Sequence, residues 1–316
     1  MAKILIIKLG ALGDMVMATS LIRQIQDHHK TDKVWLLTSP DFTGIFENWN
    51  NLDVVAFERK GLLNFFKSLA WIRRNHFNYI YDLQSNDRTS VLCALAGVRN
   101  IVGNHPRYPY NMHPPDKYIG QCHIHERMLA VLASAGIQAA KTLPVLPVSK
   151  GDQEYVSNWL QEKGLLHKKI IIMHAGASIK HPEKCWPYFM ELAVALSNKN
   201  CSIIWTGTQA EAETNKQRAK KTGADASKVF SINQLAELGR HAKFAITNDS
   251  GPMHILSGSG IPVFAFFGPT NWRRNHAIDQ AQNVITLNKE NKFLPVSLDK
   301  ITVEHALMCL QSAGVI

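Results

Sequence analysis

Three turns in this chain carry the residue types from which chemistry could be built. The first, Lys8-Leu-Gly-Ala-Leu-Gly-Asp14, follows the β-rich run Ile4-Leu5-Ile6-Ile7 and opens a segment of helical period. Strand, glycine turn and helix in that order set backbone N–H groups and a carboxylate at the carboxyl edge of a parallel sheet, where open α/β sheets hold ligands. It is not a dinucleotide fingerprint. Gly10 and Gly13 lack the remaining glycine of G-x-G-x-x-G, and no acidic residue follows Leu36-Leu37, which argues against an NAD-dependent oxidoreductase. On residue type alone Asp14 favours a helix N-cap over a functional contact, and one carboxylate can serve both. The second turn is Thr247-Asn-Asp-Ser-Gly-Pro-Met-His254, whose small residues let a ligand approach the backbone while the following helix offers unpaired N–H groups to a phosphate. Asp249 is out of place beside a phosphate, so it suits a sugar hydroxyl or, like Ser250, a helix cap. The third is His174-Ala-Gly-Ala-Ser-Ile-Lys180 followed by Lys184-Cys-Trp-Pro187, with Pro187 suited to a first helical turn. Lys184 there offers a point charge to a phosphate, or is an ordinary solvated lysine.

The elements that must hold these turns are legible as alternation. β-rich runs at 4–7, 34–37, 53–57 and 79–83 are separated by helical stretches such as 15–28, where Met15, Ala18, Leu21, Ile22 and Ile25 recur at three and four. The pattern restarts at 170–173, 202–205, 244–247, 262–266 and 283–286. Continuous apolar strands between helices indicate parallel sheets covered on both faces. Two doubly wound domains are expected, residues 1–150 and 151–316, with the seam in Leu143-Pro-Val-Leu-Pro-Val-Ser-Lys-Gly151 and a new helix at 153–163.

Composition narrows the partners. With 316 residues, 46% hydrophobic and 19% charged, the chain can bury a sizeable core and is neither a disordered nor a fibrous sequence. No apolar run approaches the roughly 20 residues of a bilayer span, and the N-terminus lacks the apolar segment of a signal peptide, so a cytoplasmic protein is expected. Five cysteines, odd in number and never spaced C-x-x-C, suggest neither a disulfide framework nor a zinc site. The net charge of +10 calls for an anionic partner: nucleic acid, a phosphorylated substrate or an acidic membrane surface. No nucleic-acid motif accompanies the charge, so a non-catalytic nucleic-acid-binding protein is the remote alternative and no nucleic-acid partner is expected. The basic and aromatic segment 104–127, with Arg107, Tyr108, Tyr110, Lys117, His123, His125 and Arg127, could grip acidic sugars. Arg59 and Lys60, with Arg73 and Arg74, form a second basic patch.

Taken in order, I-L-I-I-K-L-G-A-L-G-D-M at the N-terminus, D-L-Q at 82–84 with Arg88, K-C-W-P at 184–187, G-x-x-x-E at 207–211, N-D-S-G-P-M-H at 248–254 and F-G-P-T at 267–270 span nearly the whole chain. The set resembles glycosyltransferase family 9, the ADP-heptose:lipopolysaccharide heptosyltransferases. The resemblance implies the GT-B fold, two Rossmann-like doubly wound domains facing a central cleft, the first holding the acceptor and the second the sugar nucleotide. It implies Asp14 as general base and Lys184 on the nucleotide phosphates as the catalytic pair. Glu211 would approach the ribose, and Ser178, Asp249, Ser250, Gly251 and His254 would complete the donor site. Gly13, Arg59, Lys60, Arg88 and Arg107 are the candidate acceptor contacts. The expected reaction is an inverting transfer of heptose from ADP-heptose to a lipopolysaccharide core acceptor at the cytoplasmic face of the inner membrane, the enzyme being peripheral there. No metal or cofactor is expected, since no Asp-x-Asp pair is placed for a magnesium diphosphate. After F-G-P-T the sequence departs from the family pattern at Asn271-Trp-Arg-Arg-Asn275, near the donor sugar, which leaves another nucleotide-activated sugar or a protein acceptor as the alternative.

Overall fold

The structure, a computed structural model, describes residues 1–115, 122–289 and 294–316; Lys117 of the basic segment lies outside them. The chain divides into two compact units, Met1–Pro147 and Val148–Ile316.

In the N-terminal unit β1 (Lys3–Ile7), β2 (Lys33–Thr38), β3 (Asp53–Ala56), β4 (Tyr79–Asp82) and β5 (Asn100–Val102) form one sheet. Their spatial order is β3-β2-β1-β4-β5 and every pairing is parallel. The helices α1 (Leu12–His28), α2 (Leu62–Asn75), α3 (Asp87–Leu95) and α4 (Ile124–Ser134) connect or follow the strands. Side chains alternate across the sheet. Leu5 and Ile7 join Trp35, Leu37 and Ile80 under Leu69 and Ile72 of α2 and Leu92 of α3. Ile4 and Ile6, also fully buried, point to the other face. Each such residue contributes at most about 1.5–3 kcal/mol on leaving water, so β1 is the best-anchored strand of the sheet, and the turn after it inherits that rigidity.

The C-terminal unit holds α5 (Lys150–Glu162), β6 (Lys169–His174), α6 (Phe189–Ser197), β7 (Cys201–Trp205), α7 (Ala212–Thr222), β8 (Gly223–Asp225), α8 (Ile232–Arg240), β9 (Ala242–Asn248), α9 (Gly251–Ser257), β10 (Val263–Phe266), α10 (Trp272–Asn275), β11 (Val284–Ile285) and α11 (Val303–Ser312). Its strands run β11-β10-β9-β6-β7-β8, again all parallel. Ile171 and Met173 face the cluster with α6 and α11, and Ile170 and Ile172 face the one with α5, α8 and α9. Several helices begin on reciprocal caps. Asn86 and Thr89 start α3, Ser149 and Asp152 start α5, and Ser231 and Gln234 start α8, each serine or asparagine accepting the N–H three residues on. The Ser149 cap sets α5 at residue 150, three residues before the predicted start at 153.

Chain order reverses its direction across each sheet at one place, between β1 and β4 in the first unit and between β6 and β9 in the second. Crevices outside the carboxyl ends of such strands are where open α/β sheets bind ligands. The three turns of the sequence all stand there: 8–14 after β1, 174–184 after β6, and 247–254 after β9.

Candidate functional site

The turn after β1 is held from the ends of both flanking strands, β2 and β4. Leu9 N–H donates to Gln84 Oε1 at 2.9 Å, Ser39 Oγ donates to the Leu9 carbonyl at 2.7 Å, and Lys8 Nζ donates to the Leu83 carbonyl at 3.2 Å. The D-L-Q segment is therefore a brace for the glycine turn. Its Asp82 is buried and accepts from Tyr110 Oη at 2.6 Å and from the N–H groups of Gln84 and Ser85. Burial raises the Asp82 pKa, with those hydrogen bonds acting the other way. Gly10 has φ +120°, and a Cβ there would press on the Phe42 ring and lie 3.2 Å from Arg59 Nη1, so glycine is required for both conformation and space.

Asp14 lies in the first turn of α1, where a carboxylate is favoured by the helix dipole, but it does not cap the helix: the N-cap is Ala11 and no side chain bonds there. The capping expectation fails because Leu12 already has helical geometry, which puts Asp14 two residues past the helix start. Its half-exposed carboxylate instead faces Lys8 Nζ at 4.0 Å. Lys8 is 1% exposed. Burial lowers its pKa foremost; Asp14 and Asp82 oppose that, and the nearby cations Arg127 and Arg59 add to it. The structure thus sets Lys8 against the Asp14 carboxylate, with Arg59 and Arg127 near enough to the same lysine to disfavour its charge. Gly13 sits beside Asp14 in the same turn.

Of the other acceptor candidates, Arg88 donates from Nη2 to the Gly61 carbonyl at 2.8 Å and lies over the Phe65 ring, so its guanidinium fixes the start of α2. Arg59 and Arg88 line one small crevice with Phe57, Phe65 and Leu92. Lys60 is exposed just before α2. Arg107 is exposed in the loop after the edge strand β5, two strands from β1. Two of the four histidines of the basic segment have partners within the N-terminal unit: His123 caps α4 by accepting from the His125 N–H, and buried His125 meets Ser20 Oγ of α1 at 3.2 Å. No cluster of three or more His, Cys, Asp or Glu with metal-holding geometry occurs among the described residues.

In the C-terminal unit one asparagine organises the switch point. Asn248, the last residue of β9 and fully buried, donates to the carbonyls of Ala175 and Gly176 at 2.9 and 3.2 Å and accepts from the Trp186 N–H at 3.0 Å. The Trp186 ring stacks on Phe266 with centroids 3.9 Å apart, and its Nε1 donates to the Ile301 carbonyl. Trp186 so anchored delivers Lys184, which ends a short 3-10 turn; α6 starts at Phe189 and not at Pro187, because Tyr188 is its N-cap. Lys184 Nζ meets Asp249 Oδ2 at 2.7 Å, and Thr270 Oγ1 donates to the same oxygen at 2.8 Å. Neither Asp249 nor Ser250 caps α9 through its side chain. The F-G-P-T threonine and the N-D-S aspartate thus act together on the lysine.

Glu211 closes a capping box with Thr208. Its carboxylate crosses toward β6: a Cβ on Gly176 would overlap it, and His174 Nε2 stands 3.9 Å from its Oε1. His174 Nδ1 lies 3.4 Å from Ser250 Oγ, so this buried ring links Glu211 to the 249–251 turn. Beside it a pocket of about 140 Å³ opens at the ends of β6, β7 and β8, lined by His174, Gly207, Thr208, Lys228, Phe230, Leu235 and Pro252. Ser178 is exposed in the loop after β6, and His254 is buried in α9. Lys8, His174, Asn248 and Thr270 stand inside the quoted turns and motifs, but sequence reasoning gives them no role there, because their contacts come from neighbouring strands and loops.

Burial lowers the His174 pKa below 6.5, with Glu211 and the Gly176 backbone opposing. A base with a depressed folded pKa gives its full stability above its unfolded value and loses it as pH falls through the folded one. The C-terminal unit is therefore expected to weaken in acid below 6.5. In His174→Gln the drop in melting temperature between neutral and acid pH should be smaller than in the wild type; an unchanged drop would show that His174 does not carry it.

Two parallel α/β units with ligand-facing turns at both switch points define a protein of the GT-B class. The family model of glycosyltransferase family 9 (heptosyltransferase) matches residues 65–298. The chain is 20% identical over 313 residues to the lipopolysaccharide core heptosyltransferase OpsX of Haemophilus influenzae, covering 90% of this chain and 84% of that one. A family 9 glycosyl transferase from Veillonella parvula superposes with TM-score 0.82 at 20% identity over 98% of this chain and 96% of its own. The ADP-heptose lipopolysaccharide heptosyltransferase II of E. coli does so with TM-score 0.76 at 20% identity over 98% of each. The chain belongs to glycosyltransferase family 9, and it is a glycosyltransferase.

Proposed function

We propose that the protein transfers a heptose from ADP-heptose to a lipopolysaccharide core acceptor with inversion at the anomeric carbon. The observation that carries this reading is the carboxylate of Asp14 set at the first switch point against Lys8, with Arg59 and Arg127 near that lysine. A sugar hydroxyl is a poor nucleophile, and a carboxylate within reach takes its proton as it attacks. Those three cations suit an acidic acceptor sugar, with Gly13, Lys60, Arg88 and Arg107 as the wider acceptor surface. On the donor side Lys184 stands against the diphosphate, whose charge grows as it leaves. Glu211 takes the ribose hydroxyls, and the pocket beside Phe230 takes the adenine. Ser178, Asp249, Ser250, Gly251 and His254 make up the rest of the donor site, with the residues around 1–150 serving the acceptor and 151–316 the nucleotide. One displacement, from the face opposite the leaving group, inverts the centre, as the single-step geometry of inverting glycosidases does. No metal or cofactor enters this scheme. The names of the relatives support it: one acts on the lipopolysaccharide core and another uses ADP-heptose. No described helix is long and apolar enough to cross a membrane, and the enzyme works from the cytoplasmic side as a peripheral protein.

The test is calorimetric binding of ADP, UDP and NAD, followed by transfer from ADP-heptose and from UDP-glucose with the anomer of the product read by NMR. Selective ADP binding and an inverted heptoside are expected. Preference for UDP or NAD, or transfer of glucose alone, would overturn the donor assignment, which the Asn271 to Asn275 departure makes the sharpest point to examine.

A further inference from the structure

We propose that the outward face of α2 docks the protein on an anionic lipid bilayer. The helix buries Ser68, Leu69 and Ile72 against the sheet. On its other side Leu62 is 75% exposed, Leu63 68% and Phe66 59%. At 100° per residue these three share one arc with Ala70; Arg73 falls within it, its Nε tied to the Leu95 carbonyl, and Lys67 and Arg74 lie along one border. A helix lying on water would carry polar residues there. Over 58–75 the five cations Arg59, Lys60, Lys67, Arg73 and Arg74 oppose the single acid Glu58. Apolar side chains bordered by cations match the two attractions an anionic membrane offers, burial at the acyl boundary and charge at the headgroups. That complementarity selects a bilayer over an apolar protein groove, which would leave the basic flank unanswered.

Position gives the patch its purpose. α2 follows the carboxyl end of β3, so Leu62 and Leu63 stand at the same edge of the sheet as the 8–14 turn. Arg59, just ahead of them, reaches back to Gly10, and Arg88 locks the Gly61 carbonyl. Docking by this face turns the Asp14 edge toward the membrane, where a lipid-linked acceptor presents its sugars. That purpose rests on the proposed function, but the docking does not, since vesicle binding needs neither donor nor acceptor.

The experiment is flotation with vesicles of phosphatidylcholine alone and of phosphatidylcholine mixed with phosphatidylglycerol, with ADP binding measured on the same samples. The wild type is expected to float with the anionic vesicles, less at high salt, and weakly with the neutral ones. The triple variant Leu62→Ser, Leu63→Ser, Phe66→Ser should lose at least about tenfold in apparent affinity with melting and ADP binding unchanged. The pair Lys67→Glu, Arg74→Glu should also weaken binding. In the single variant Phe66→Trp, fluorescence at residue 66 should shift to the blue on anionic vesicles and be quenched by brominated acyl chains. A wild type that stays unbound, a triple variant that floats like the wild type, or a partner protein captured without vesicle binding overturns the docking. Loss of ADP binding with vesicle binding intact instead overturns the nucleotide-sugar reading.

Discussion

Replacing Asp14 by Asn is expected to remove sugar transfer while leaving ADP binding at its wild-type strength. The substitution keeps the shape of the side chain and deletes its ability to take a proton. General-base contributions are worth about 10²–10⁴ in rate, or roughly 3–5 kcal/mol of barrier, so kcat should fall by that order. ADP affinity should hold, because Asp14 belongs to the N-terminal unit and the nucleotide is assigned to the other. A second effect follows from Lys8. Its pKa is depressed by burial and supported by Asp14. For a base so depressed, protonation in the folded state costs stability, in full below the folded pKa and progressively less as pH rises from there to 10.5. Taking away the Asp14 charge deepens the depression, so the variant should melt below the wild type at pH values below the folded Lys8 pKa and approach it as pH rises toward 10.5. Near-normal turnover in Asp14→Asn would reject it as the base; a melting difference that does not shrink with rising pH would show that Lys8 is not what Asp14 stabilises.

The sheets were legible where strands are central. Residues 4–7, 170–173 and 244–247 read as strands because a β-strand covered on both faces must be apolar at every position, and β1, β6 and β9 are central strands of that kind. The two strands that left no signal, β5 (Asn100–Val102) and β8 (Gly223–Asp225), are three residues each and lie at sheet edges. An edge strand pairs on one side and needs less apolar cover, so Gly-Ala-Asp can be a strand when Ile203 to Trp205 lie beside it. That neighbour in turn requires glycine at 223, because a Cβ there would overlap the Ile203 carbonyl.

The site was legible as turns and not as contacts. Glycines and small residues after strands mark close approach in any sequence, which is why the 8–14, 174–184 and 247–254 segments could be found. That Lys8 would be buried against Leu83, or that Asn248 would tie Gly176 to Trp186, depends on which strands become neighbours across about 60–75 residues of chain, and no local pattern encodes it. Asp249 shows the same limit from the other side. Its residue type suggests a cap, but the lysine that claims it comes from a loop 65 positions earlier.

Lys184→Met is the other substitution expected to be severe, and its two effects separate. In the structure Lys184 Nζ lies against an Asp249 carboxylate that is itself 8% exposed and also bonded by Thr270. If the diphosphate binds at Lys184 as proposed, then with the lysine gone Asp249 would stand beside it with no cation between them. Donor affinity should therefore drop, and so should kcat, because the charge that builds on the leaving diphosphate is no longer met; loss of one such preorganised contact costs about 10²–10³ in rate. The unpaired, mostly buried carboxylate should also lower the melting temperature. Pairing the change with Asp249→Asn tests the assignment: removing both charges should recover much of the lost stability and ADP affinity, since no carboxylate then opposes the phosphates, while kcat stays low. Recovery of kcat in the double variant would mean that Asp249, not the leaving group, is what Lys184 serves.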